Sequence, residues 1–151
     1  MNHPLHLATL VIDVAVSSCI ERIQTRKYTL SELDEKMGQH EYKNLKQGNP
    51  LQNDFLETTR QLNFVARNLG SDTMHLSWII LTLKEIAKYT QDLARTYDRN
   101  ASENSVNSDD CLDRMKAGIE YLENACQTYL LRMDCLTRRK DALLQAVSTN
   151  S

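Results

Sequence analysis

Residues 110–147, DCLDRMKAGIEYLENACQTYLLRMDCLTRRKDALLQAV, decide the fold. Leu112, Ile119, Cys126, Met133, Lys140 and Val147 recur at seven-residue steps, and Met115, Leu122, Tyr129, Leu136 and Leu143 recur at the same step three residues on. Alternating spacings of three and four place both series on one side of an α-helix, and their persistence is the seam of a coiled coil. Lys140 is the one charge in the seam and marks a wetter end or a register constraint.

Working back from this stretch, a second helix is expected over about 54–98. Phe55, Thr59, Leu62, Ala66, Leu69, Thr73, Leu76, Ile80, Leu83, Ala87, Thr90, Ala94 and Tyr97 alternate steps of four and three. A parallel line of Val65, Ile79, Ile86 and Leu93 is broken by Asp72. Two adjacent apolar stripes imply more than one packing neighbour, which favours a bundle over a bare two-stranded coil. Gly70-Ser71 interrupts the middle, as a kink or a point of close approach. Between the two helices, 99–109 reads as a polar linker with little to bury. The similar lengths of the two helices suit an antiparallel hairpin.

The amino-terminal part carries Leu5, Ala8, Ile12, Ala15, Cys19 and Ile23 at helical spacing, broadened by Val11, Val16 and Ile20. This predicts a well-buried helix over about 4–28, with Pro4 in the first turn, where its missing N–H does no harm. Thr29-Leu30-Ser31-Glu32 fits a capping box and predicts a short helix over 30–37 that ends at Gly38, the alternative being that the first helix continues through. Lys46-Gln47-Gly48-Asn49-Pro50 is the clearest break, and Asn53 or Asp54 caps the next helix. The fold class expected is all-α: a single helical domain over 1–151, as an elongated helical bundle or an antiparallel helical hairpin with coiled-coil character.

Composition agrees. With 4 Gly and 2 Pro in 151 residues there are few helix breakers and too few turn residues for a sandwich or barrel. A formal net charge of −2 gives no basic excess for nucleic acid. Arg138-Arg139-Lys140 is followed at once by Asp141 and reads as a solvated helix face. Cys19, Cys111, Cys126 and Cys135 form no C-x-x-C pair, and no secretory signal supports disulfides. The apolar run from Leu7 to Cys19 contains Asp13 and is too short for a membrane span. The expectation is a reduced, cytoplasmic chain without a span of its own, membrane-associated if it is part of a longer protein.

No catalytic, cofactor-binding or metal-ligating residue is assigned, and an enzyme is not expected. His3 and His6 flank Pro4 without an acidic or thiol partner, His40-Glu41 lacks the second His of a metalloprotease helix, and His75 has no nucleophile at useful spacing. Asp109-Asp110 is explained by helix capping. The Gly residues are scattered singly, so no phosphate-cradling loop is present.

Between Gly38 and Leu93 the sequence resembles the cytoplasmic region of fungal CorA-like proteins, relatives of the CorA magnesium transporters. The resemblance rests on Gln39-His40-Glu41-Tyr42, on Gln47-Gly48-Asn49-Pro50-Leu51, and on the run from Asp54 to Asn63. His3-Pro4-Leu5 and Arg132-Met133-Asp134-Cys135-Leu136 extend it over most of the chain. It implies a helical stalk or bundle leading into two membrane helices. The sequence departs from the family by ending at Ser151 without those helices and without the Gly-Met-Asn selectivity motif, for which Met37-Gly38 is no substitute. The function expected is therefore a non-catalytic helical cytoplasmic domain acting in assembly or regulation, through a protein partner or self-association along its helical seams. The alternative is a free-standing coiled-coil adaptor mediating protein–protein interaction.

Overall fold

The computed structural model describes residues 4–37, 55–100 and 106–150, with side chains over 7–37, 56–96 and 112–149. Among the described residues it is an all-α bundle of three helices, α1 (Pro4–Lys36), α2 (Phe55–Asn100) and α3 (Val106–Asn150). None of them is long and apolar enough to cross a membrane.

The helices expected over 4–28 and 30–37 are one. Thr29 does not act as a cap: its Oγ1 donates to the Thr25 carbonyl at 3.1 Å, and the Ser31 hydroxyl donates to Lys27 O at 3.0 Å. Hydroxyls bonded one turn back are satisfied inside the helix and leave its backbone ladder intact. Leu30 and Leu33 are fully buried and continue the stripe of Ile23, so packing holds the segment helical where its capping pattern would end it. The ladder closes with Met37 N donating to Leu33 O at 3.0 Å.

Residues 99–100 and 106–109 are likewise helical, although they fall within the expected linker; 101–105, the break at 46–50 and the cap at Asn53 or Asp54 lie outside the described residues. Ser, Asn and Asp cost a formed helix only a few tenths of a kcal/mol each, so polar composition alone does not stop it. Helix α2 also runs through Gly70, where an added Cβ would meet nothing within 4 Å. Close approach is therefore not what places a glycine there.

The contacts group into two compact units. Unit 1 comprises Met1–Cys19 and His75–Tyr129; its core is Ile12, Val16 and Cys19 from α1, Leu76, Ile80, Leu83 and Ile86 from α2, and Leu112, Met115, Ile119, Leu122 and Cys126 from α3. Unit 2 comprises Ile20–Met74 and Leu130–Ser151; its core is Ile23, Leu30 and Leu33, then Leu62, Val65 and Leu69, then Met133, Leu136, Leu143 and Val147. In unit 2, Arg22 meets Asp72 and Arg26 meets Phe64, so rising numbers in α1 pair with falling numbers in α2 and the two run antiparallel.

Every seam position read from residues 110–147 is buried in α3 except Tyr129 and Lys140, which are half-buried. Leu122→Ala removes a side chain that is 5% exposed and is expected to cost roughly 2–5 kcal/mol through lost apolar burial and the cavity left behind. The exposed neighbour Glu120 should accept Ala within about 0.5 kcal/mol. Urea denaturation of both variants checks the contrast; equal stabilities would contradict the packing.

Candidate functional site

Asp72 interrupts an apolar line of α2, so helical periodicity carries its carboxylate inward. It is 3% exposed. Arg22 Nε donates to its Oδ1 at 2.7 Å, while Oδ2 is buried without a hydrogen-bond partner. The Arg22 side chain keeps 38% of its surface, so one end of this ion pair reaches water and the other does not. One turn along α1, the Arg26 guanidinium lies 5.7 Å from the Phe64 ring centroid and Arg67 lies 6.0 Å from the same ring, within cation–π range. Farther along unit 2, Arg139 Nε donates to Asp34 Oδ2 at 2.6 Å and Nη1 donates to Ser31 Oγ at 3.4 Å, with Nη2 on the same carboxylate.

This corrects the reading of Arg138-Arg139-Lys140 as one solvated face. Consecutive helical residues point about 100° apart, so three of them cannot share a side. Arg138 is exposed and pairs with Asp134 at 2.7 Å, Arg139 turns to Asp34, and Lys140 keeps only 12% of its side-chain surface while pairing with Asp141.

Unit 1 has a different interior. Lys84 Nζ lies 4.0 Å from a Glu123 carboxylate oxygen. Cys19 and Cys126 are buried thiols outside any disulfide, at 3% and 0% exposure. Burial pushes the Cys126 thiol up from 9.0 to about 11, with smaller contributions from Cys19 and Glu123, both of which oppose a nearby thiolate.

The surface of unit 1 holds its least expected feature. Helix α1 was expected to be well buried, yet only its inner stripe is. Leu7, Leu10, Val11 and Val14 are exposed at 66%, 50%, 62% and 70%. Their spacing of three, one and three puts them on the side opposite Ile12, Val16 and Cys19. On α2, Trp78 and Leu81 are also exposed, at 65% and 56%. Apolar residues around the whole circumference suggested burial, and the bundle covers only half of them.

His75 is exposed on α2, while the side chains of His3, His6, His40, Asp109 and Asp110 lie outside those described. Among the described residues no group of three or more His, Cys, Asp or Glu is placed to hold a metal ion. Sequence reasoning missed Arg22, Asp34 and Arg139. An acid in an otherwise apolar line signalled that Asp72 needs a counterpart, but the spacing did not single out Arg22; for the Asp34–Arg139 pair the spacing carries no signal. No protein-family model, curated protein or solved structure matches the chain.

The uneven exposure of the Arg22–Asp72 pair gives an asymmetric expectation. Arg22→Met leaves the buried Asp72 carboxyl without its hydrogen bond from Arg22, and should cost about 3–5 kcal/mol, the usual penalty for breaking a buried ion pair by removing one partner. Asp72→Leu removes the buried carboxyl and leaves Arg22 with the 38% of its side-chain surface that already meets water, so it should cost much less, and the double substitution should recover most of the loss. Denaturation midpoints of the three variants check this; equal losses from the two single changes would contradict it.

The thiol gives a pH dependence. Between about 9 and 11 the unfolded chain loses the Cys126 proton while the folded chain keeps it, so the unfolded state binds fewer protons and stability falls as pH rises through that window. Thermal melts of wild type and Cys126→Ala across it should show the steeper decline in wild type; parallel declines would contradict the assignment.

Proposed function

We propose that the chain is a non-catalytic helical module that works by assembly, pairing with a second copy of itself through the outer face of α1. The observation that carries this reading is the solvent-exposed stripe of Leu7, Leu10, Val11 and Val14. Large apolar side chains grouped on one helical side resemble half of a helix–helix seam, because three- and four-residue spacing matches the ridges of another helix. The charge pattern supports a second copy as the occupant. From Pro4 to Ile20 the only acidic or basic residue among Asp, Glu, Lys and Arg is Asp13. Two such faces approach without strong repulsion, whereas an anionic lipid surface would find no lysine or arginine to hold. A two-fold contact also brings the same four side chains from both sides, doubling the apolar area removed from water.

This assembly role is the one that the CorA-like resemblance implies for a cytoplasmic helical stalk, and that resemblance remains part of the proposal. Sedimentation equilibrium over a wide concentration range tests it. Wild type is expected to shift from monomer toward dimer. Val14→Glu, which places a charge at a position 70% exposed, should stay monomeric with unchanged helicity and with the melting temperature that wild type shows at concentrations where it is monomeric. A wild type that stays monomeric at several hundred micromolar would overturn the reading.

A further inference from the structure

We propose that Cys19 and Cys126 are a redox-closable pair, which a hydroperoxide oxidises to a disulfide joining α1 to α3 within unit 1. Both thiols occupy the same end of that unit: its α1 portion stops at Cys19, and its α3 portion stops at Tyr129, one turn beyond Cys126. Both face inward, at 3% and 0% exposure. Each is within electrostatic reach of the other, since Cys19 acts directly on the ionisation of Cys126. Facing positions on packed helices suit the bond. Axes roughly 8–10 Å apart, less two Cα radii of about 2.3 Å, bring Cα atoms close to the range of roughly 4.4–6.8 Å that a disulfide requires. Cys135 is exposed on α3 and takes no part.

The chemistry balances with one hydroperoxide. Cys19 gives up its proton as its sulfur attacks a peroxide oxygen, the O–O bond breaks, and the departing hydroxide takes that proton as water while Cys19 becomes a sulfenic acid. Cys126 is the resolving partner, and its thiol proton leaves with the sulfenic hydroxyl as its sulfur becomes the nucleophile. Its sulfur attacks the Cys19 sulfur, a second water leaves, and the S–S bond forms. Two thiols have then given two electrons and two protons to convert one peroxide to two waters. Burial excludes larger oxidants and makes the reaction slow, because reagent enters only when the unit opens.

The test uses the full chain carrying Cys111→Ser and Cys135→Ser, incubated with hydrogen peroxide, quenched, unfolded in denaturant, alkylated and mapped by mass spectrometry. A loss of about 2 Da, a cross-linked peptide pair containing residues 19 and 126, and a higher melting temperature reversed by dithiothreitol are expected, since a cross-link over so long a loop restricts the unfolded chain. Adding Cys19→Ser or Cys126→Ser should abolish all three. If those variants do not fold, the peptide map of the wild-type chain decides alone. Full alkylation of both thiols after oxidation, or their conversion to sulfinic acid without a link, would overturn the proposal.

Discussion

Every helix here depends on burying one apolar stripe. A helix in water is only marginally stable by propensity, and most helical stability in proteins comes from packing an amphipathic face. Helices α1, α2 and α3 have 33, 46 and 45 residues and no strand among the described residues to lean on, so each must find its cover on another helix. Leu62, Leu69, Leu76 and Leu83 show the result on α2: seven apart, and each at 2% exposure or less. The same requirement keeps α1 intact past Thr29, where the burial of Leu30 and Leu33 outweighs a capping sequence worth about 1 kcal/mol.

Apolar stripes alone specify poorly, because leucines slide past leucines at similar energy. Polar groups set into the stripes remove that freedom. In unit 2, Arg22–Asp72 ties α1 to α2 and Asp34–Arg139 ties α1 to α3. A shift of one turn would leave Asp72 buried with neither oxygen bonded, a penalty far above the net gain of the pair itself. Unit 1 has no such buried pair among the ion pairs of its described residues; Lys84–Glu123 sits at a more exposed edge. Its inward polar side chains are Thr90, whose hydroxyl donates to the Ile86 carbonyl one turn back, and the two thiols, which fill core positions as small apolar side chains do.

How much was legible follows from which interactions have a period. The α3 stripe was readable position by position, because burial repeats with the helix and leaves a mark every three or four residues. The line through Val65, Ile79 and Ile86 was readable as well, with Asp72 standing out against it. The partner of Asp72 was not, since a contact between residues 22 and 72 has no sequence periodicity. Helix ends were read from capping chemistry, a local signal that distant packing overrode at Thr29. Arg139 shows the same limit: beside Arg138 and Lys140 it looks like one of three surface charges, and only the position of Asp34 on another helix turns it inward.

The outer face of α1 is where sequence and fold make opposite statements, and that conflict is informative. A helix that is apolar all round reads as buried on every side. In this chain α2 and α3 supply cover for Ile12, Val16 and Cys19 but none for Leu7, Leu10, Val11 and Val14. Single exposed apolar residues are ordinary; a cluster along two helical turns is what distinguishes an interaction surface. The core does not require these four residues, since the stripe that faces it is already complete. Serine or glutamate in their place would leave the interior untouched. On the assembly reading proposed above, their apolar character has its use where a second copy covers that side of α1.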